Sequence, residues 1–359
     1  MKFRILTNYS LIKNILYLYL PIKILTVMIM IYYFPVLFEK RYFIDNDFQN
    51  YYSKCPENSF NFFFTKIICF FKIGDLSNFK AISFAFMINF IKDFLFLYIA
   101  HKKFPKNLFM VFLIFLTFHP YLNSHYLKFS TILFANLAVA LIFFEIEILK
   151  KKSFLINLVM ICLTGFRNGI FFLVLLYQTL NFYYFYKTLK SKMVKICFII
   201  LVISVLLILF IYFFRIDYLV KSIYTTKSYY LNFFNFNDYL NFIQIDIIRN
   251  FLSLILLFFS HLIMLLGFRE KAFVEFENYF TNFTYPFLFE VTISVSLFVF
   301  HIIGLFYFFK IFNKKDYYLT FLISLLPFLF LVSHLRYFMP YIPLALFGFC
   351  LYLDRKILK

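Results

Sequence analysis

Between Glu39 and Glu57 the chain reads EKRYFIDNDFQNYYSKCPE, with Asp45 and Asp47 two residues apart, Arg41 before them and Tyr51 and Tyr52 after. A carboxylate near an acceptor hydroxyl can act as a general base. An Asp-x-Asp pair can instead hold a divalent cation, magnesium or manganese, against a phosphate. The plainer alternative is a solvated loop whose acids favour turns. Acids are scarce in this chain: 17 Asp and Glu stand against 36 Lys and Arg, a net charge of +19. The remaining polar candidates are mostly cations, His119, Lys128, Arg167 and Arg336, with Tyr337 beside the last. Arg carries permanent charge and planar donors suited to phosphate. Together these types fit sugar transfer from an anionic carrier: one carboxylate deprotonates the acceptor while cations hold the departing phosphate.

The elements that must position these residues are apolar. Of 359 residues, 64% are hydrophobic and 25% aromatic, with 62 Phe, 29 Tyr and no Trp. Repeated apolar runs near the ~20 residues needed to cross a bilayer predict an all-α, polytopic integral membrane protein. The basic residues fall between those runs, as the positive-inside bias requires, which excludes a nucleic-acid partner and leaves membrane lipids as one. The five cysteines show no CxxC spacing, so neither a disulfide framework nor a zinc site is expected. Six glycines and no Gly-rich loop exclude a phosphate-binding loop of the nucleotide type.

In chain order, a first crossing is expected over about Ile15 to Leu37, with Lys23 either snorkelling or facing the bundle. A first extracytoplasmic loop, 39–80, includes an amphipathic helix at Ser59 to Gly74. Crossings follow at about Ala81 to Ala100, Leu108 to Leu122 and Phe129 to Ile148. Lys92 and Asp93 then lie at membrane depth, and as sequence neighbours on a helix each is expected to need a partner elsewhere. Two short helices are predicted to meet at TGFRNG, Thr164 to Gly169. A further extracytoplasmic loop spans 215–249, the run Phe251 to Phe268 is re-entrant or paired, and crossings at Pro286 to Phe309, Tyr317 to Val332 and Leu344 to Leu353 complete about 9–11 in a single domain, 1–359. This path puts Asp45/Asp47, His119 with Lys128, Arg167 and His334/Arg336/Tyr337 on one outer face.

The layout resembles the membrane glycosyltransferases of the C superfamily, which use polyprenyl-phosphate-linked sugars. The likeness rests on IDNDFQNYY in the first loop, the Arg of LTGFRNGIFFLVLLY, and RYFMPYIP, which is similar to their Arg-Tyr-x-x-Pro-x-x-Pro. RYFIDNDFQNYY also resembles the first loop of exopolysaccharide and O-antigen polymerases, although Asn46 stands where their pattern has Thr, and no large soluble C-terminal domain of the oligosaccharyltransferase kind is visible. The resemblance implies an inverting transfer from a lipid-linked donor to a glycan acceptor, on the extracytoplasmic face of a bacterial inner membrane, with Asp45 or Asp47 at the position of the catalytic acid. Asp47 aligns with the polymerase Asp. The alternative is a lipid-linked glycan flippase or small-molecule transporter, which would favour internal repeats and a midplane site on broken helices.

Overall fold

The computed structural model describes residues 15–33, 78–124, 126–127, 132–149, 153–164, 168–188, 248, 252, 255–256, 285–312, 320–321 and 338–356. Asp45, Asp47, Arg41, Tyr51, Tyr52, Lys128, Arg167, Arg336 and Tyr337 lie outside them, as do the loop 215–249 apart from Ile248 and most of 39–80. The described residues are helical, without strands. After a π-helical turn, Ile15–Tyr19, come α1 (Leu20–Tyr33), α2 (Asn78–Lys103), α3 (Lys106–Phe118), α4 (Pro120–Ser124) and α5 (Ile132–Phe144), which continues as a π-helical turn, Glu145–Leu149. Then follow α6 (Phe154–Thr164), α7 (Asn168–Thr188), α8 (Tyr285–Ile311) and α9 (Ile342–Lys356), the last entered through a 3₁₀ turn, Met339–Tyr341. Helix α2 begins at Asn78, inside the bounds expected for the loop 39–80. The helices flanking Thr164 to Gly169 are present, but only α6, with 11 residues, is short; α7 has 21.

Among the described residues two runs, Ile82–Lys103 and Ile132–Leu149, are long and apolar enough to cross a membrane. Proline sets the turn after the first. Pro105 offers no N–H and disfavours helix at the residue before it, so α2 stops and Pro105 becomes the N-cap of α3, its carbonyl accepting Phe109 N–H at 3.0 Å.

By packing, the chain divides into two compact units. The first comprises Met1–Val174, Ile303–Phe312 and Met339–Lys359; the second, Leu175–Ile302 and Asn313–Phe338. Within the first, α2 and α5 run side by side in the same direction: Phe96 meets Phe143 at 5.9 Å, Tyr98 meets Phe144 at 6.0 Å, and Lys103 pairs with Glu147. Helix α9 runs parallel to the end of α8, Gly304 lying against Ala345 and Gly348 against Phe308. Phe143 is the hub, with Phe308 at 5.7 Å and Phe347 at 5.3 Å. These directions carry Lys102, Lys103, Lys310 and Arg355 to one end, where α3 also starts with Lys106. Lys102 and Lys310 lie along the rings of Tyr98 and Phe306, stems on apolar surface and charge outward. In the second unit, His301 is buried against Phe338, ring centroids 5.1 Å apart.

Candidate functional site

Two helices of the first unit have their polarity reversed. Residues three and four apart share a helix face, and on α1 and the turn before it the buried face carries Tyr19, Lys23 and Thr26 while Leu25, Met28 and Ile29 are exposed. On α2, Asn89, Lys92 and Asp93 are buried, and Phe84, Met87 and Ile91 are exposed. A helix in water would do the opposite, because burying an unpaired charge costs several kcal/mol.

The inward polar groups meet. Tyr19 donates its hydroxyl hydrogen to Asp93 Oδ2 at 2.5 Å, and Lys92 Nζ lies 3.1 Å from Asp93 Oδ1. Lys92 Nζ also donates to Asn89 Oδ1 at 3.3 Å, and Asn89 Nδ2 donates to the Tyr126 carbonyl at 3.0 Å. The ring of Tyr126 receives two cations, Lys23 Nζ at 4.9 Å from its centroid and Lys92 Nζ at 5.8 Å. Its hydroxyl stands beside the Tyr19–Asp93 pair without a hydrogen bond of good geometry. The expectation that Lys92 and Asp93 cannot face each other is thus corrected. The four-carbon lysine stem bends back far enough for its ammonium to reach the next residue's carboxylate, while Tyr19 and Asn89 supply the partners from elsewhere.

The cluster closes on a break between α3 and α4. In a continuous helix the Leu116 carbonyl would accept from the N–H of residue 120, which is proline and has none. Lys23 Nζ takes that place, donating to Leu116 O at 2.8 Å and lying 3.4 Å from Thr117 O. Asn123 Nδ2 donates to Thr117 O at 2.9 Å, and its own Oδ1 is buried without a partner. Lys23 therefore faces the bundle rather than snorkelling.

Helix lengths give the depth of these groups. At 1.5 Å per residue, α3 with its 13 residues rises about 20 Å from Lys106. By the same measure α6 rises about 17 Å over 11 residues. Helix α9 covers about 22 Å over 15 residues. Helix α3 falls short of a ~30 Å hydrocarbon core. It stops at the candidate residue His119, while Arg167 follows the described part of α6 by three positions and Arg336 and Tyr337 immediately precede Phe338 in the sequence. His119 is buried, its backbone N–H donating to Phe115 O at 3.0 Å and its carbonyl accepting from Asn123 N–H at 3.1 Å. It sits within the bundle rather than at an outer surface. Asp93 and Leu116, each ten residues from a basic helix end, share a level about 15 Å from that end.

Of the predicted site residues the structure describes His119 and brings it to the helix break beside Lys23, Asn123 and Tyr126. Sequence reasoning missed Tyr19, Asn89, Asn123 and Tyr126 as members. Their one signal was Asp93 at membrane depth, which required partners. At the basic end Glu145 accepts from Ser153 N–H at the start of α6 and from Asn157 Nδ2 at 3.3 Å, an acid at a helix N-terminus. Among the described residues no group of three or more His, Cys, Asp and Glu could hold a metal ion. Compared with protein-family models, curated proteins and solved structures, the chain matches none.

Proposed function

We propose that this chain is a multi-pass membrane glycosyltransferase that transfers a sugar or repeat unit from a polyprenyl-phosphate-type donor to a glycan acceptor at the extracytoplasmic side of the membrane. The observation that carries the reading is the stop of α3 at His119, 13 residues from its basic end. A helix of 13 residues rising from a basic end leaves its other end inside the outer half of a ~30 Å core. That end carries His119, and Arg167 and Arg336 with Tyr337 are the further cations and aromatic expected to hold a lipid-borne phosphate. A recess at that depth meets a polyprenyl phosphate where its headgroup leaves the hydrocarbon. The reversed polarity of α1 and α2 supports a lipid surround. Asp47, with Asp45, supplies the general base, or the pair holds a divalent cation; Lys128, Arg41, Tyr51 and Tyr52 complete the donor and acceptor contacts.

One observation favours a second reading, a lipid-linked glycan flippase or anion transporter. The Tyr19–Asp93–Lys92–Lys23 cluster lies near mid-depth on a broken helix, where transporters place their sites. It holds two buried lysines and one buried aspartate.

The protein reconstituted in vesicles with a short-chain polyprenyl-phosphate sugar separates the two. The enzyme consumes donor and forms product, and Asp47→Asn lowers the rate by ~10²–10⁴-fold. A metal-holding pair adds chelator sensitivity. Movement of intact donor between leaflets without product would replace this reading with the second.

A further inference from the structure

We propose that Lys23 is a positioning residue, its ammonium replacing the backbone donor that Pro120 removes and so holding the α3–α4 break that presents His119. Four observations converge on it. Pro120 leaves Leu116 O without its intrahelical partner, and Lys23 Nζ sits 2.8 Å from that oxygen, across 93 positions of chain. The neighbouring Thr117 O is shared by Asn123 Nδ2 at 2.9 Å and Lys23 Nζ at 3.4 Å, so both carbonyls at the end of α3 are held by side chains. Lys23 is fully buried, a placement that costs desolvation unless the ammonium meets fixed dipoles, and the negative end of a helix dipole is such a partner. Tyr126, whose N–H donates to Asn123 O at 3.1 Å, closes the other side with its ring 4.9 Å from the ammonium.

The consequence is geometric. A straight helix through residue 120 would need no lysine and would carry His119 round with its own turn. The break instead gives His119 an extended backbone, φ −61° and ψ 116°, and its Nδ1 accepts from Leu122 N–H at 3.4 Å, which fixes the backbone and the imidazole it carries. Lys23 acts on substrate only through that backbone. Its effect on donor binding rests on the glycosyltransferase reading given above; its effect on the break does not.

Three variants test this: Lys23→Met, Pro120→Ala, and the two combined. Thermal midpoints are read in one detergent, together with the apparent KM for a short-chain polyprenyl-phosphate sugar. Lys23→Met strands Leu116 O and lowers the midpoint. Adding Pro120→Ala returns an N–H to that carbonyl and restores the midpoint. The restored protein still has a KM raised by roughly tenfold, the scale of one charge-assisted hydrogen bond, because the break no longer presents His119. If Lys23→Met does not accumulate, recovery of folded protein on adding Pro120→Ala reads the same coupling. A double variant no more stable than Lys23→Met, or a wild-type KM in the double variant, overturns the proposal. A wild-type protein without transfer activity would sink the enzyme reading and leave the thermal comparison to decide the role of Lys23.

Discussion

Replacing Asp93 with Asn removes the one buried carboxylate of the cluster and leaves its cations in place. Asp93 accepts from Tyr19 at 2.5 Å and lies 3.1 Å from Lys92 Nζ, and all three side chains are buried. Asn keeps the shape and one acceptor, so the Tyr19 hydrogen bond survives in neutral form. What is lost is the countercharge to two ammonium groups that converge on the Tyr126 ring. Breaking a buried ion pair by removing one partner costs about 3–5 kcal/mol. The surviving hydrogen bond puts Asp93→Asn at the low end, about 3 kcal/mol. That is a large share of the roughly 5–15 kcal/mol that holds a typical fold. The assay is chemical denaturation in lipid bicelles, followed by helical circular dichroism. A second variant fixes the cause: Lys92→Met with Asp93→Asn removes the charges of that pair together, keeps the acceptor for Tyr19, and should recover to within about 1 kcal/mol of wild type. Asp93→Asn within about 0.5 kcal/mol of wild type would refute a buried, countercharged pair, as would a double variant less stable than the single one.

The close crossing of α8 and α9 makes two further demands. A Cβ at Gly348 would lie 1.9 Å from Gly304 O and 2.6 Å from Phe308 N, both backbone, so Gly348→Ala should lower the unfolding free energy by at least about 1–3 kcal/mol in the same denaturation assay. Gly304→Ala meets Ala345 O at 2.1 Å and should cost a similar amount, with the two losses less than additive because either one already parts the helices.

Much of the helical layout is legible in the sequence, because apolar runs bounded by basic clusters leave little choice. Ala81 to Ala100 anticipates α2, and Pro286 to Phe309 falls within two residues of α8 at each end. His119-Pro120 is visible as a helix end. What the sequence does not reveal is who satisfies that end, since Lys23 stands 93 positions from Leu116 and no periodicity links them. The Tyr19–Asp93 pair is equally remote, 74 positions apart, and Tyr19 reads as one aromatic among 29 tyrosines. Lys92 and Asp93 are misread for a different reason. Helical side chains at adjacent positions point apart, yet a long lysine stem in an apolar bundle has nowhere better to place its charge than the nearest carboxylate.

The central claim is that His119, Arg167 and Arg336 share one depth in the half of the membrane away from the basic helix ends. Nitroxide labels at His119→Cys, Arg167→Cys and Arg336→Cys, in a background free of other cysteines and in lipid nanodiscs, report depth through their relative accessibility to oxygen and to a water-soluble nickel chelate. If the three residues line one recess, the three labels should agree to within about 5 Å, one helical turn. They should also fall in the leaflet opposite Lys102 and Lys310. Any one of the three reporting the leaflet of Lys102, or the water on that side, would contradict a shared phosphate-binding recess.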